Sequence, residues 1–134
     1  MAAPRNPTPK TMFRKLRDAQ LALEAGRLIV VDYHRHVAAD LDKLGVDEKT
    51  YFSLLARLID TVLAVGPAQC YAGRYPADRV NQHPGFNNFE MWAFKTSLPE
   101  FKFLIYFKFC LKEHPITKEL HYCHVDCHPD KKPV

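Results

Sequence analysis

Two stretches of this sequence space a phenol, amines and imidazoles in a way that could handle a phosphodiester. In the first, Phe101 to Lys112 (FKFLIYFKFCLK), the odd positions Phe101, Phe103, Ile105, Phe107, Phe109 and Leu111 are all apolar, while Lys102, Tyr106, Lys108 and Lys112 stand at even ones. In the second, His121 to His128 (HYCHVDCH), Tyr122, His124, Asp126 and His128 alternate with Cys123, Val125 and Cys127. A period of two is the pattern of a half-buried strand, whose successive side chains point to opposite faces. Cleaving RNA needs a base for the 2′-hydroxyl proton, an acid for the leaving 5′-oxygen and a cation for the phosphoryl oxygens. Glu90 or His124 suits the base. His124, Tyr106 or His128 suits the acid, and Lys108, with Lys102 or Arg74, supplies the cation. Histidine fits either proton role because its unperturbed pKa lies near neutrality. Trp92, Tyr75 or Tyr122 could stack a nucleobase. This route requires no metal and no cofactor.

Simpler readings compete residue by residue. Lysines on an open strand face often only solvate it and discourage edge pairing. Tyr106 could be a cross-strand packing residue, and Glu90 could pair with a lysine. His114 sits in a turn. An aromatic-rich sheet could instead be the surface of a non-catalytic binding module, such as an antitoxin, an immunity protein or a phage-encoded inhibitor, with Trp92 as its anchor. His121, Cys123, His124, Cys127 and His128 are also zinc-ligand types. If their segment is a regular strand, however, Cys123 and Cys127 stand roughly 13 Å apart, too far to form a disulfide or to grip one ion. A zinc site would need this segment to be a loop.

The elements that must carry these residues are legible from periodicity. A chain of 134 residues with net charge +4 makes one domain the default. That charge permits nucleic acid as a partner without demanding it. Residues 1–11, with three prolines, read as a flexible arm, 12–128 as a single domain and 129–134 as a flexible tail. Helices are expected over about Lys10 to Ala25 (Met12, Leu16, Ala19, Leu23 on one stripe), about Tyr33 to Leu44 (Val37, Ala38, Leu41, Leu44), and from an Asp47 N-cap to just before Gly66-Pro67 (Phe52, Leu55, Leu58, Ile59, Val62). Leu28 to Val31 is an apolar run of either type. Gly66 to Gly85 lacks periodicity and reads as a loop or a hidden short helix.

Strands are expected over about Asn88 to Thr96, Phe101 to Lys112 and Leu120 to Cys127, joined by short turns as an antiparallel meander. In the preferred register Phe89, Met91 and Ala93 face inward, because the opposite register would bury Glu90. Glu90 and Trp92 then join Tyr106, Lys108, Tyr122 and His124 on the open side. The fold class is α+β, with N-terminal helices packed on a small antiparallel sheet. No apolar run is long enough to span a bilayer and no secretory signal is visible, so the four cysteines are expected as thiols.

This order of parts resembles the motility quorum-sensing regulator family of bacterial toxins. The shared features are Leu44-Gly45-Val46-Asp47 before an apolar helix, Tyr71 and Arg74 in the next segment, the aromatic strand Phe89 to Phe94, Tyr106-Phe107-Lys108, and a last strand with polar residues. Glu90, with Trp92 following, stands near the family's tryptophan–glutamine pair, and His124, His128 or Lys131 stands where a lysine is usual. The resemblance implies a RelE-like fold and a cytoplasmic endoribonuclease acting on mRNA, neutralised by a cognate antitoxin protein. It implies Tyr106 and Lys108 as site residues, joined by Arg74, Glu90 and His124.

Overall fold

A computed structural model describes residues 7–31, 33, 37–73 and 89–130. Helix α1 spans Pro9–Glu24, strand β1 Leu28–Val30, helix α2 Ala38–Leu44, helix α3 Glu48–Val65, helix α4 Pro67–Cys70, and strands β2, β3 and β4 Trp92–Thr96, Ile105–Glu113 and Leu120–Pro129. Local chemistry sets the helix ends. The Thr8 hydroxyl accepts the Thr11 N–H and Pro9 opens α1, so the helix begins inside the expected arm. Asp47 caps α3 by accepting the Thr50 N–H at 2.8 Å. The short helix expected as one option after Gly66 is α4, with a proline at its first turn.

Gly45 ends α2 with φ +70°, a left-handed conformation that costs other residues about 1–2 kcal/mol. Nothing lies within 4 Å of the place its Cβ would take, so the cost of a side chain there is purely that of the backbone. Gly45→Ala is therefore expected to lower the unfolding free energy by about 1 kcal/mol. An unchanged urea midpoint would contradict this.

The four strands form one sheet in the order β1-β4-β3-β2. The meander β2-β3-β4 is antiparallel, but β1 runs parallel to β4, with Leu28 opposite Tyr122 and Val30 opposite His124. The sheet is therefore mixed rather than antiparallel. Arg27 pins this parallel edge: its guanidinium donates to the Leu120 carbonyl at 2.8 Å and meets Glu119 at 3.1 Å. β3 starts at Ile105 rather than Phe101. The Phe101 and Phe103 rings meet at 5.4 Å with their planes tilted by 48° in the connection before it.

Helices α1, α2 and α3 cover one sheet face. Met12, Leu16, Leu54, Leu55, Leu58, Ile59 and Val62 from the helices meet Trp92, Phe94, Ile105, Phe107, Phe109, Tyr122 and Cys127 from the sheet in one core. The sheet side is an aromatic ladder, with Phe94, Phe107, Phe109 and Tyr122 in successive ring contact at 4.9–6.3 Å. At the other end of the chain, β4 runs into the expected tail. The Asp130 N–H donates to the Leu104 carbonyl at 2.8 Å and its carboxylate pairs with Lys95. Among the described residues no helix is long and apolar enough to cross a membrane.

Candidate functional site

One irregularity decides which side chains meet on the outer face, away from the helices. Along β3 and β4, Tyr106 lies opposite His128 and Lys108 opposite Asp126, but Phe109 lies opposite His124. Val125 is thus an extra residue, a bulge. The bulge shifts the alternation of β4 by one, and a shift of one carries every later side chain to the other face. Before it, Tyr122 and His124 face the helices. After it, Cys127 does, and Asp126 and His128 face outward.

Two cross-strand rows result on the outer face: Lys95, Tyr106 and His128, then Ala93, Lys108 and Asp126. Directly opposed side chains of antiparallel strands are in contact range. The Tyr106 and His128 rings stack at 5.2 Å with planes 25° apart. Lys95 Nζ lies 3.3 Å from Asp130 Oδ2. His128 Nδ1 lies 3.0 Å from the Pro129 carbonyl oxygen. A carbonyl only accepts, so Nδ1 carries the proton and Nε2 presents its lone pair. A ring held in this tautomer can take a proton from a hydroxyl, with a phenol beside it and two amines on neighbouring strands.

Several expected site residues lie elsewhere. His124 and Tyr122 are 0 % exposed and Trp92 is 3 % exposed, all on the helix side. The reason for the first two is the bulge. For Trp92 it is the register of β2, opposite to the one expected: Trp92, Phe94 and Thr96 face the core, and Met91, Ala93 and Lys95 face out. Glu90 does not suffer from this register because it precedes β2 and remains exposed. Lys15 Nζ lies 5.7 Å from the Trp92 ring centroid, a cation on the aromatic face. Lys102 is exposed in the β2–β3 connection, not on the strand face. Arg74, Tyr75 and Lys131 lie outside the described residues. His114 does lie in a turn, where its Nδ1 accepts the Ile116 and Thr117 N–H groups, both at 3.1 Å, and so shapes the β3–β4 connection.

His124 belongs instead to a buried polar network that links α2, α3 and β4. The Tyr51 hydroxyl donates to Asp40 Oδ2 at 3.1 Å, and the Cys127 N–H donates to the same oxygen at 2.9 Å. His124 Nε2 lies 2.6 Å from the Tyr51 hydroxyl oxygen. With the one Tyr51 proton directed at Asp40, His124 Nε2 is the donor in that bond. Burial pushes the Asp40 carboxyl above its ordinary value, against the opposing pull of the Cys127 N–H and the Tyr51 hydroxyl. Burial likewise raises the Tyr51 phenol. Asp40 and Tyr51 were missed as polar residues of interest, although a signal existed. Asp40 stands three residues after Val37 and four before Leu44, so it lies on the apolar stripe of α2.

The outer face is not bare along its whole length. Beyond the polar rows, Met91, Cys110, Cys123 and Val125 are buried, with Ile29, Val31 and Phe89 packed against them. The segment that a zinc site would need as a loop is strand β4, and its bulge puts Cys123 and Cys127 on opposite faces. Among the described residues no group of three or more His, Cys, Asp or Glu is placed to hold a metal ion. No protein-family model, no curated protein and no solved structure matches the chain.

Proposed function

We propose that the protein is a metal-independent endoribonuclease that cuts single-stranded RNA on the outer face of its sheet. In this reading the fold is a variant of the RelE-like arrangement, and the protein is the cytoplasmic toxin of a toxin–antitoxin pair. Support comes from one observation above all: Tyr106, Lys108 and His128 share one sheet face, with His128 held in the tautomer that accepts a proton at Nε2. His128 takes the 2′-hydroxyl proton, Lys108 and Lys95 offset charge on the phosphoryl oxygens, and Tyr106 protonates the leaving 5′-oxygen or stacks a base. His128 replaces His124 in the base role. A cognate antitoxin protein would act by covering these rows. The rival reading, a non-catalytic interaction module anchored by Trp92, is weakened because that ring is in the core.

The test is incubation of the purified protein with single-stranded RNA in the presence of a chelator. Cut fragments ending in 2′,3′-cyclic phosphate and 5′-hydroxyl groups are expected. RNA left whole at equimolar protein, whether bound or not, would overturn the proposal.

A further inference from the structure

The apolar end of the outer face holds a chemical pair that the proposed reaction does not use. Cys110 and Cys123 are directly opposed across β3 and β4, both are 0 % exposed, and both are free thiols. The Tyr122 N–H donates to Arg27 and the His124 carbonyl accepts from Val31, so those two residues turn their backbone groups toward β1. Cys123 between them turns its own toward β3. Cys110 and Cys123 are therefore a hydrogen-bonded pair, with Cα atoms about 5.5 Å apart. That spacing lies inside the window of about 4.4–6.8 Å that a disulfide spans. Their side chains share one face, and the Cys123 Sγ donates to the His121 carbonyl at 3.7 Å.

We infer that Cys110 and Cys123 are a reversible oxidation site, joined as a cross-strand disulfide when the protein meets hydrogen peroxide. The Cys123 thiolate attacks one peroxide oxygen, the O–O bond breaks, and the departing hydroxide takes up a proton as water. Cys110 then attacks the sulfenic sulfur, the S–O bond breaks, and the second hydroxide leaves with the Cys110 proton. Two thiols and one peroxide become one disulfide and two waters. Cys123 is the attacking sulfur because the neighbouring Cys110 thiol, and after it Lys112, hold its thiol below the ordinary value, while the Cys123 side chain and burial push Cys110 up. Burial pushes Cys70 and Cys127 up as well, and neither faces another cysteine across a strand pair. The apolar cover of Ile29, Val31 and Phe89 leaves both thiols without exposed surface, so a small oxidant is expected to reach them faster than a bulky one. Cβ atoms of a hydrogen-bonded pair sit near the upper end of about 4.5–5.5 Å, wider than the roughly 3.8 Å of a relaxed disulfide. The bond is thus readily reduced.

The test treats the folded full chain with hydrogen peroxide, removes the excess, unfolds the chain in denaturant, alkylates the remaining thiols and maps the peptides by mass spectrometry. Alkylatable thiols are expected to fall from four to two, with one cross-linked peptide joining Cys110 to Cys123 and its loss on adding dithiothreitol. Oxidised glutathione is expected to give the same bond at least tenfold more slowly. Cys127→Ser should leave the cross-link intact, whereas Cys110→Ser should stop at an oxidised Cys123. Because the wild-type peptide map stands without either variant, a poorly folding variant does not blunt the test. Four reactive thiols after treatment, or a cross-link through Cys70 or Cys127, would overturn the inference.

Discussion

Asp40→Ala is expected to lower the unfolding free energy by about 3 kcal/mol, because it strips the acceptor from two buried donors at once, each worth about 1–3 kcal/mol when left unsatisfied. Those donors are the Tyr51 hydroxyl and the Cys127 N–H. Tyr51→Phe removes one partner of Asp40 and one of His124, and is expected to cost about 2 kcal/mol. Asp40→Asn keeps an acceptor oxygen and should cost less than either.

The same carboxyl gives stability a pH dependence of definite sign. Burial raises its pKa in the folded state, so the folded chain keeps this proton to higher pH than the unfolded chain does. Where the folded state binds more protons, stability falls as pH rises. The contribution is full below the unfolded value of 3.8 and is lost as pH climbs through the raised folded value. Urea titrations over a pH series should show this decline in the wild type and lose it in Asp40→Asn. A cost below about 1 kcal/mol for Asp40→Ala at acidic pH, where the contribution is full, would mean that the network does not hold the helices to β4.

The second large effect concerns RNA. His128→Ala is expected to slow cleavage by about 10²- to 10⁴-fold, the usual worth of a positioned general base. Its unfolding free energy should stay within about 0.5 kcal/mol of wild type, since the side chain is only partly buried at the strand end. Lys108→Ala should slow cleavage by about 10²-fold through lost charge stabilisation. His124→Gln should behave in the opposite way. It weakens the fold through the Tyr51 contact, yet the fraction that remains folded should cut RNA at the wild-type rate. Fragment yields on gels, read beside melting curves, separate the two histidines. Full cleavage by His128→Ala, or none by folded His124→Gln, would assign the chemistry to the wrong face.

Much of the scaffold was legible because it follows local rules. The Asp47 cap, the apolar stripes of α1 and α3, and the short turns of the meander all act over a few residues. The fate of the site was not local. Val125 looks like an ordinary member of an alternating run, and nothing in HYCHVDCH marks it as the residue that the partner strand skips. One unpaired residue divided the expected row of Tyr122, His124, Asp126 and His128 between two faces. The buried network was hidden in the same way: Tyr51 and His124 are 73 residues apart, and Asp40 and Cys127 are 87 apart. The β2 register was misjudged because Glu90 was treated as part of the strand. The strand starts at Trp92, so no charge is buried by the register that occurs.

The parallel edge has a kinetic consequence. Arg27 and Leu120, which fix it, are 93 residues apart, and β4, the partner of β1, is an interior strand rather than an edge. Closing a loop of that length costs entropy before any contact rewards it, and topologies of this kind refold slowly. Until β4 arrives, Leu28, Ile29 and Val30 form an apolar segment with no strand to zip onto. Refolding at high concentration should therefore divert molecules into aggregates through this early segment, and dilution should recover them.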